Sequence, residues 1–337
     1  MTSIVGGGST GLHGKGSQPT TLDDVLEFAK TANKQFLQQE LVVIDSKVPS
    51  LYVCQKEWAT VHTSDLNKIR YLGSSKATTC VLLFFYSKKA FSCAHYDGAE
   101  SVKFTLDKQI ESILTPYACA SEEEREIIKV SMVGGFVGDG ITEGRTISES
   151  VLAHLDNYDA ASKNVRFELD VVLICRENVT ENRRYAGKLE PIHGSAVYDR
   201  VSGTIKPCRW ENLECITPEL LFRSASLYTA DKAAKALFDY NNNAIVVGQR
   251  QYYSVNTDFI EGILNSTESD EELLLRMSTS PYAEEEDFIK DLKASFAFLK
   301  ENPYYDDYYI KMKGRRAYTL RSEAGSNGRW VWEKAQK

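Results

Sequence analysis

One apolar stretch with a short polar break near its middle decides the fold: Thr78-Thr79-Cys80-Val81-Leu82-Leu83-Phe84-Phe85-Tyr86-Ser87-Lys88-Lys89-Ala90-Phe91-Ser92-Cys93-Ala94-His95-Tyr96-Asp97. Both arms are rich in the β-branched and aromatic residues that favour strands. The polar residues Ser87 and Lys88 between them are typical of a turn. The stretch therefore predicts a β-hairpin, with one strand over 78–86 and the other over 90–96.

The pairing of the two strands depends on where the turn is centred. If the loop has two or four residues and its centre is the Ser87–Lys88 pair, Cys80 lies directly opposite His95. Directly opposed Cβ atoms lie about 4.5 to 5.5 Å apart, which is close enough for a thiol and an imidazole to share a proton. A three- or five-residue loop would instead leave them diagonal.

The same register places four polar side chains on one face. Thr78 then lies opposite Asp97, and because side chains alternate along a strand, Thr78, Cys80, His95 and Asp97 point to the same side. A thiol beside an imidazole is an arrangement of nucleophile and base. A buried Cys is also a common small apolar filler, and the chain has seven. The spacing alone leaves both interpretations open.

Local sequence adds a second observation. Several segments resemble, in order, those of the protein N-terminal asparagine amidohydrolase family, over roughly residues 48 to 335. They are Leu51-Tyr52-Val53, Leu72-Gly73, Ala77-Thr78-Thr79-Cys80, His95 with Asp97-Gly98, Val133-Gly134-Gly135-Phe136, Ser278-Thr279-Ser280-Pro281 with Ala283-Glu284, Phe296-Ala297-Phe298-Leu299-Lys300 and Trp332-Glu333-Lys334. Each segment alone is weak, but the set is specific.

The resemblance implies an enzyme that hydrolyses the side-chain amide of an N-terminal asparagine to aspartate and releases ammonia. It also implies that Cys80 is the nucleophile, that the partners are proteins or peptides with a free N-terminal asparagine, and that the product enters the N-degron degradation pathway. We expect His95 to be the general base. Two alternatives remain: a Cys-His deamidase of internal glutamine or asparagine side chains, and an inactive module that binds amino-terminal peptides.

Asp97 has three possible roles. A deamidase restricted to chain ends must bind the substrate's α-ammonium group, and a carboxylate is a natural partner for that charge. Asp97 could equally orient His95, as the third group of a triad does, or cap the turn into Gly98. Thr78 could hydrogen-bond to the thiol and imidazole, or only pack against them.

Composition narrows the remaining possibilities. The formal charge of −7 argues against nucleic-acid binding. The chain contains no run of eighteen apolar residues, so no membrane span is predicted. Its seven cysteines are odd in number and scattered along the chain, which indicates a reducing compartment. The five His residues contain no helical pair, so we expect no metal and no cofactor. The chain is expected to be a cytoplasmic monomer, with a nuclear location left open.

The pattern of elements predicts an α+β fold, with mixed or antiparallel sheets in a sandwich-like core flanked by helices. We expect a flexible tail over 1–20 and a single domain over 21–335. Helical spacing predicts helices over 21–40 and 146–160. A further helix is predicted with Ser280 as its N-cap, Pro281 at its first position and Lys300 near its end.

Overall fold

The structure is a computed structural model that describes residues 21–63, 68–117, 126–138, 140–161, 165–225, 232–248, 256–302, 312, 316–322 and 329–335. The tail predicted over 1–20 lies outside the described residues.

Helices and strands alternate irregularly along the described chain. The helices are α1 (Leu22–Leu37), α2 (Ala99–Leu114), α3 (Glu143–Ala161), α4 (Leu213–Ile216), α5 (Leu220–Ser224), α6 (Thr257–Leu264), α7 (Asp270–Met277) and α8 (Phe288–Glu301). The strands are β1 (Val42–Ile44), β2 (Ser50–Tyr52), β3 (Glu57–His62), β4 (Tyr71–Ser74), β5 (Val81–Tyr86), β6 (Ala90–Tyr96), β7 (Glu126–Gly134), β8 (Val165–Leu173), β9 (Val179–Glu181), β10 (Leu189–Pro191), β11 (Ala196–Asp199), β12 (Thr204–Trp210), β13 (Lys235–Ala236), β14 (Phe238–Asp239), β15 (Ala244–Val247), β16 (Arg316–Ser322) and β17 (Trp330–Lys334).

The predicted hairpin forms the middle of the largest sheet. This sheet has six strands in the order β13-β3-β6-β5-β7-β8, and it is mixed because β7 pairs with β8 in parallel while β5 pairs with both neighbours antiparallel. Every residue of β5 and β6 is buried. A strand buried on both faces needs a continuous apolar run rather than an alternating one, and the run from Val81 to Tyr86 supplies it.

The two faces of β5 enter different hydrophobic cores. Val81, Leu83 and Phe85 pack into a core with helices α1, α2 and α3. Leu82 and Phe84 pack into a second core with the sheet β1-β12-β11-β4-β2 and with β14-β15-β16-β17. The architecture is therefore α+β with mixed sheets in a sandwich-like core and helices outside, as predicted.

The first helix begins as its sequence indicates. Thr21 is the N-cap of α1, and its hydroxyl accepts from the backbone N–H of Asp24 while the Asp24 carboxylate accepts from the N–H of Thr21. This reciprocal capping box satisfies two backbone donors at the helix start. On the opposite side of the helix, the buried Asn33 side chain bonds both backbone groups of Val172 on β8, at 2.8 Å each. These bonds fix α1 against the edge of the large sheet.

Candidate active site

The register of the hairpin differs from the predicted one. Leu82 lies opposite His95, and Val81 lies opposite Tyr96. The prediction that Cys80 lies directly opposite His95 is therefore wrong.

The geometry of the turn explains the difference. The backbone N–H of Ser87 donates to the Ala90 carbonyl at 2.9 Å. The Ser87 hydroxyl accepts from the backbone N–H groups of Lys89 and Ala90, at 3.3 and 3.2 Å. These bonds close a four-residue turn whose centre lies one position later than predicted. Each partner therefore moves by two residues, and because β5 begins at Val81, the thiol of Cys80 lies just before the paired residues.

His95 is buried, and its ring is hydrogen-bonded to Ser74 rather than to the thiol. Its Nδ1 lies 2.8 Å from the hydroxyl of Ser74, and that hydroxyl donates its only hydrogen to the Val53 carbonyl at 2.5 Å. Nδ1 must therefore carry the proton, and Nε2 is left as an acceptor. Among the described residues, Nε2 has no hydrogen-bond partner. Burial lowers the pKa of His95 to about 3, with Glu57 opposing the shift, so the ring is neutral near pH 7.

Cys80 lies just before β5, which begins at Val81 rather than at Thr78 as predicted, and 8% of its surface is exposed. Burial raises the pKa of its thiol well above the ordinary value, and the carboxylates of Asp97 and Glu284 raise that pKa further. The ammonium of Lys56 opposes them. The thiol is therefore protonated at neutral pH. The charged groups that act on it are two carboxylates and one ammonium group, from three separate segments of the chain.

Glu284 is the site residue that the sequence interpretation missed. Its Oε1 accepts from the hydroxyls of Ser278 and Ser280, at 2.6 and 3.1 Å, and its Oε2 accepts from the Thr78 hydroxyl at 3.4 Å. Burial raises the pKa of this carboxyl, although the three hydroxyls act in the opposite direction. A carboxyl with a raised pKa beside a thiol is suited to proton transfer.

The loop that carries Glu284 is not the helix that we predicted. Ser280 accepts at its backbone carbonyl from the N–H of Ala283 at 2.9 Å, which closes a turn over Pro281. Helix α8 begins later, at Phe288. The Ser280 hydroxyl, which we expected to cap a helix, instead donates to the Glu284 carboxylate, which also accepts from Thr78. The Ser-Thr-Ser-Pro and Ala-Glu segments of the family resemblance were the available signal.

Asp97 forms an ion pair in the same region. Its carboxylate lies 3.4 Å from the Lys56 ammonium, and both side chains are mostly buried. The backbone N–H of Lys56 donates to the His95 carbonyl at 3.0 Å, which ties this turn to the end of β6. Asp97 does not orient the imidazole, because Nδ1 is bonded to Ser74 and Nε2 has no partner among the described residues. That alternative for Asp97 is excluded in this conformation.

A buried ion pair supports the turn that carries Lys56. Arg223 and Glu57 are fully buried and lie 2.7 Å apart, and Arg223 also donates to the Tyr52 carbonyl at 2.7 Å. The Glu57 carboxylate accepts from the backbone N–H of Cys54 at 2.9 Å. The backbone of Lys56 is left-handed, with φ of 59°, which costs free energy in a residue with a Cβ. The ion pair and its hydrogen bonds hold this turn in place.

The backbone around Cys80 is held by the glycine segment after β7. The N–H of Gly135 donates to the Cys80 carbonyl at 2.6 Å, and the N–H of Phe136 donates to the Thr78 carbonyl at 2.8 Å. Gly134 has φ of +108°, and a Cβ there would lie 2.4 Å from the Cys80 carbonyl oxygen. Only glycine permits this conformation and this close approach. The segment therefore fixes the chain that presents the thiol.

Two kinds of site are not found in the described part of the chain. Its His, Cys, Asp and Glu side chains form no group of three or more that could hold a metal ion. None of its helices is long and apolar enough to cross a membrane.

A buried thiol within electrostatic reach of two carboxyl groups, on an α+β scaffold, is a candidate site for a cysteine hydrolase. The family model for protein N-terminal asparagine amidohydrolase matches residues 40–331, and the chain belongs to this family. Membership places it among the hydrolases that act on amide bonds.

Curated relatives are similar over most of their length. The chain is 24% identical over 287 residues to the protein N-terminal asparagine amidohydrolase of Mus musculus, covering 84% of this chain and 83% of that protein. It is 24% identical over 290 residues to the human protein of the same name, with the same shares covered. The Arabidopsis thaliana protein of that name is 22% identical over 280 residues, covering 79% of this chain and 77% of that protein.

Proposed function

We propose that this protein hydrolyses the side-chain amide of an N-terminal asparagine in peptides and proteins, giving aspartate and ammonia. Family membership supports the reaction. The observation that carries the proposal is that the Cys80 thiol lies within electrostatic reach of both Glu284 and Asp97. One carboxylate can accept the thiol proton and the other can bind the substrate's α-ammonium group.

Cys80 is the nucleophile in this proposal. Glu284 takes the thiol proton as the Sγ–C bond forms on the carboxamide carbon, and it then gives that proton to the departing nitrogen as the C–N bond breaks and ammonia leaves. Water attacks the resulting thioester, with its proton passing to Glu284 and then to the sulfur. The products are a free carboxylic acid and the restored thiol.

Glu284 replaces His95 as the proposed general base for two reasons. His95 makes no hydrogen bond to the thiol, because Nδ1 is bonded to Ser74 and Nε2 has no partner among the described residues. Its pKa of about 3 makes it a poor acceptor for a proton from a thiol whose own pKa is raised. The hydroxyl of Thr78 orients the Glu284 carboxylate, which gives Thr78 a positioning role.

Asp97 binds the α-ammonium group of the substrate. Its carboxylate already pairs with one ammonium group, that of Lys56, and a charge-assisted bond is stronger than a neutral one. Acetylation of the substrate's amino terminus removes the positive charge that Asp97 binds. We therefore expect free N-terminal asparagine to be accepted and acetylated asparagine to be rejected.

Measurement of ammonia release tests the function. Peptides that begin with Asn, Gln or acetylated Asn are incubated with the wild type, with Cys80→Ala and with Cys93→Ala, a buried cysteine on β6 that serves as the matched control. Release from free Asn alone, lost in Cys80→Ala and kept in Cys93→Ala, supports the proposal. Release from internal or acetylated amides supports an internal deamidase, and binding without release supports a binding module. An unchanged rate in Cys80→Ala would refute the thiol mechanism.

The proposed biological setting is the one that the family resemblance implies. The product bears an N-terminal aspartate, which would act as a degradation signal in the N-degron pathway. The proposal also places the protein in the cytoplasm, with a nuclear pool left open, as a monomer. Fractionation of cells and the protein's mass in solution test these two points directly.

A further inference from the structure

A cavity of about 160 Å³ is lined in part by residues that hydrogen-bond to Glu284 and Thr78. Its lining is mainly apolar and includes Phe136, Ile141, Leu189, Pro281 and Tyr282, with Lys188 among the polar residues. Ile141, Lys188, Leu189, Pro281 and Tyr282 are each partly exposed, so the cavity opens to solvent.

Both walls of the cavity are joined to residues of the site. On one side, Ser280 lines the cavity and its hydroxyl donates to Glu284 at 3.1 Å. On the other side, Phe136 lines the cavity and its backbone N–H donates to the Thr78 carbonyl at 2.8 Å. A group bound here therefore lies next to the Thr78–Glu284 contact.

The cavity walls are fixed by close packing. The backbone N–H of Ile141 donates to the Gly138 carbonyl at 2.8 Å. A Cβ on Gly138 would lie 2.8 Å from the ring of Phe136 and 3.2 Å from a methyl of Leu189, so this glycine permits the wall to close against both. The ammonium of Lys188 lies 4.5 Å from the centre of the Tyr282 ring, which holds that ring at the opening.

The size of the cavity restricts its occupant. Sites for whole small-molecule ligands usually measure about 300 to 1,000 Å³, so a cavity of this size suits one side chain. Because residues in an extended peptide are about 3.3 to 3.6 Å apart, the residue next to a bound asparagine is the first that can reach it. We propose that this cavity binds the side chain of the residue that follows the N-terminal asparagine, and that it favours a branched aliphatic side chain such as leucine.

This inference rests on the proposed function, and a peptide series separates the two. Peptides Asn-Xaa with one common tail, where Xaa is Gly, Ala, Leu or Asp, are compared by kcat/KM for ammonia release with the wild-type protein. We expect Asn-Leu to exceed Asn-Gly by about tenfold, because burial of its side chain removes apolar surface from water. Equal kcat/KM across the series would overturn the inference and leave the function intact. No release from any peptide would overturn both.

A variant tests whether this cavity is the cause. Ile141→Ala enlarges it, so the preference should move from Leu towards Phe at the second position, by about fivefold or more in the ratio of the two kcat/KM values. Ile127→Ala, at an exposed position on β7, should leave the ratio unchanged. A ratio that does not differ between Ile141→Ala and the control would overturn the assignment of the cavity. Since the ratio is internal to each variant, partial unfolding does not affect it.

Discussion

The hydroxyl of Thr78 donates to the carboxylate of Glu284 across 3.4 Å, although 206 residues separate them in the chain. This contact joins the segment that carries the thiol to the loop before α8. Ser278 and Ser280 complete the surroundings of the same carboxylate. The carboxyl group that we propose as general base is therefore placed by three hydroxyls from two segments.

Replacement of Glu284 by Gln should lower kcat by about 10² to 10⁴, the usual contribution of a general acid–base group. The exposed Glu286→Gln is the matched control and should retain activity. The base must be ionised, and burial raises the pKa of Glu284 above 4.5. The wild-type kcat/KM should therefore fall as the pH decreases through that raised pKa, and this acid limb should be absent from any residual activity of Glu284→Gln. A variant with wild-type kcat would exclude Glu284 as the base.

Replacement of Asp97 by Asn should affect substrate binding more than chemistry. Loss of a charge-assisted bond costs about 1.5 to 3 kcal/mol, which corresponds to an increase of about 10- to 150-fold in KM. The selectivity for free over acetylated asparagine should decrease with it. Glu100→Gln, at an exposed position on α2, is the control in the same assay. If Asp97→Asn keeps full selectivity, the α-ammonium group is bound elsewhere.

Replacement of His95 by Gln should change stability at acid pH. In the folded protein the His95 pKa is about 3, against 6.5 for an ordinary histidine. Between these values the unfolded chain binds the proton more readily than the folded protein. The free energy of unfolding therefore decreases as the pH falls from 6.5 towards 3. The loss due to this residue is at most about 1.4 kcal/mol per pH unit. Urea unfolding from pH 7 to pH 4 should show a shallower decline for His95→Gln than for the wild type.

The same His95 variant also tests its chemical role. We expect kcat at pH 7 to change by less than about tenfold, provided that the variant is folded by circular dichroism. A decrease of 10² or more in a folded variant would return the general-base role to His95. Measurement of kcat at a saturating concentration of Asn peptide decides whether His95 or Glu284 is the general base.

Replacement of Arg223 by Met should destabilise the fold by about 3 to 5 kcal/mol, because it removes the cation that is paired with the buried Glu57 carboxylate. Arg209 forms an ion pair with Glu211 at the surface, and Arg209→Met should cost less than about 1 kcal/mol. Urea unfolding at pH 7 measures both. Equal effects of the two variants would show that the buried pair does not hold the Lys56 turn.

Local pattern was sufficient for the central hairpin and for the α+β class. The apolar run over 81–86 was predicted as a strand and is one, and the capping residues of α1 mark the start of that helix. Helix α2 was absent from the predicted elements, although Val102, Leu106, Ile110 and Ile113 on its buried face have helical spacing. Its start also lacks a capping side chain, because the N-cap is Gly98.

The site was predicted only in part. Cys80, Thr78 and Asp97 were predicted because they lie close together in the sequence; in the structure Asp97 acts electrostatically on the thiol, and Thr78 donates to Glu284. Glu284 was placed in a helix because Ser280-Pro281 followed by acidic residues is also the pattern of a helix start. A local pattern does not reveal that the hydroxyl of the distant Thr78 will donate to that carboxylate.

By itself, the sequence determined the hairpin and the family, because these depend on residue type and spacing along the chain. Tertiary structure decided the register, which the hydrogen bonds of Ser87 set one position later than the polar residues indicated. It also decided which group stands beside the thiol. The Glu284 carboxylate, more than 200 residues from Thr78 in the chain, is held by hydroxyl groups that include that of Thr78. The imidazole of His95 instead uses its Nδ1–H in a hydrogen bond to Ser74.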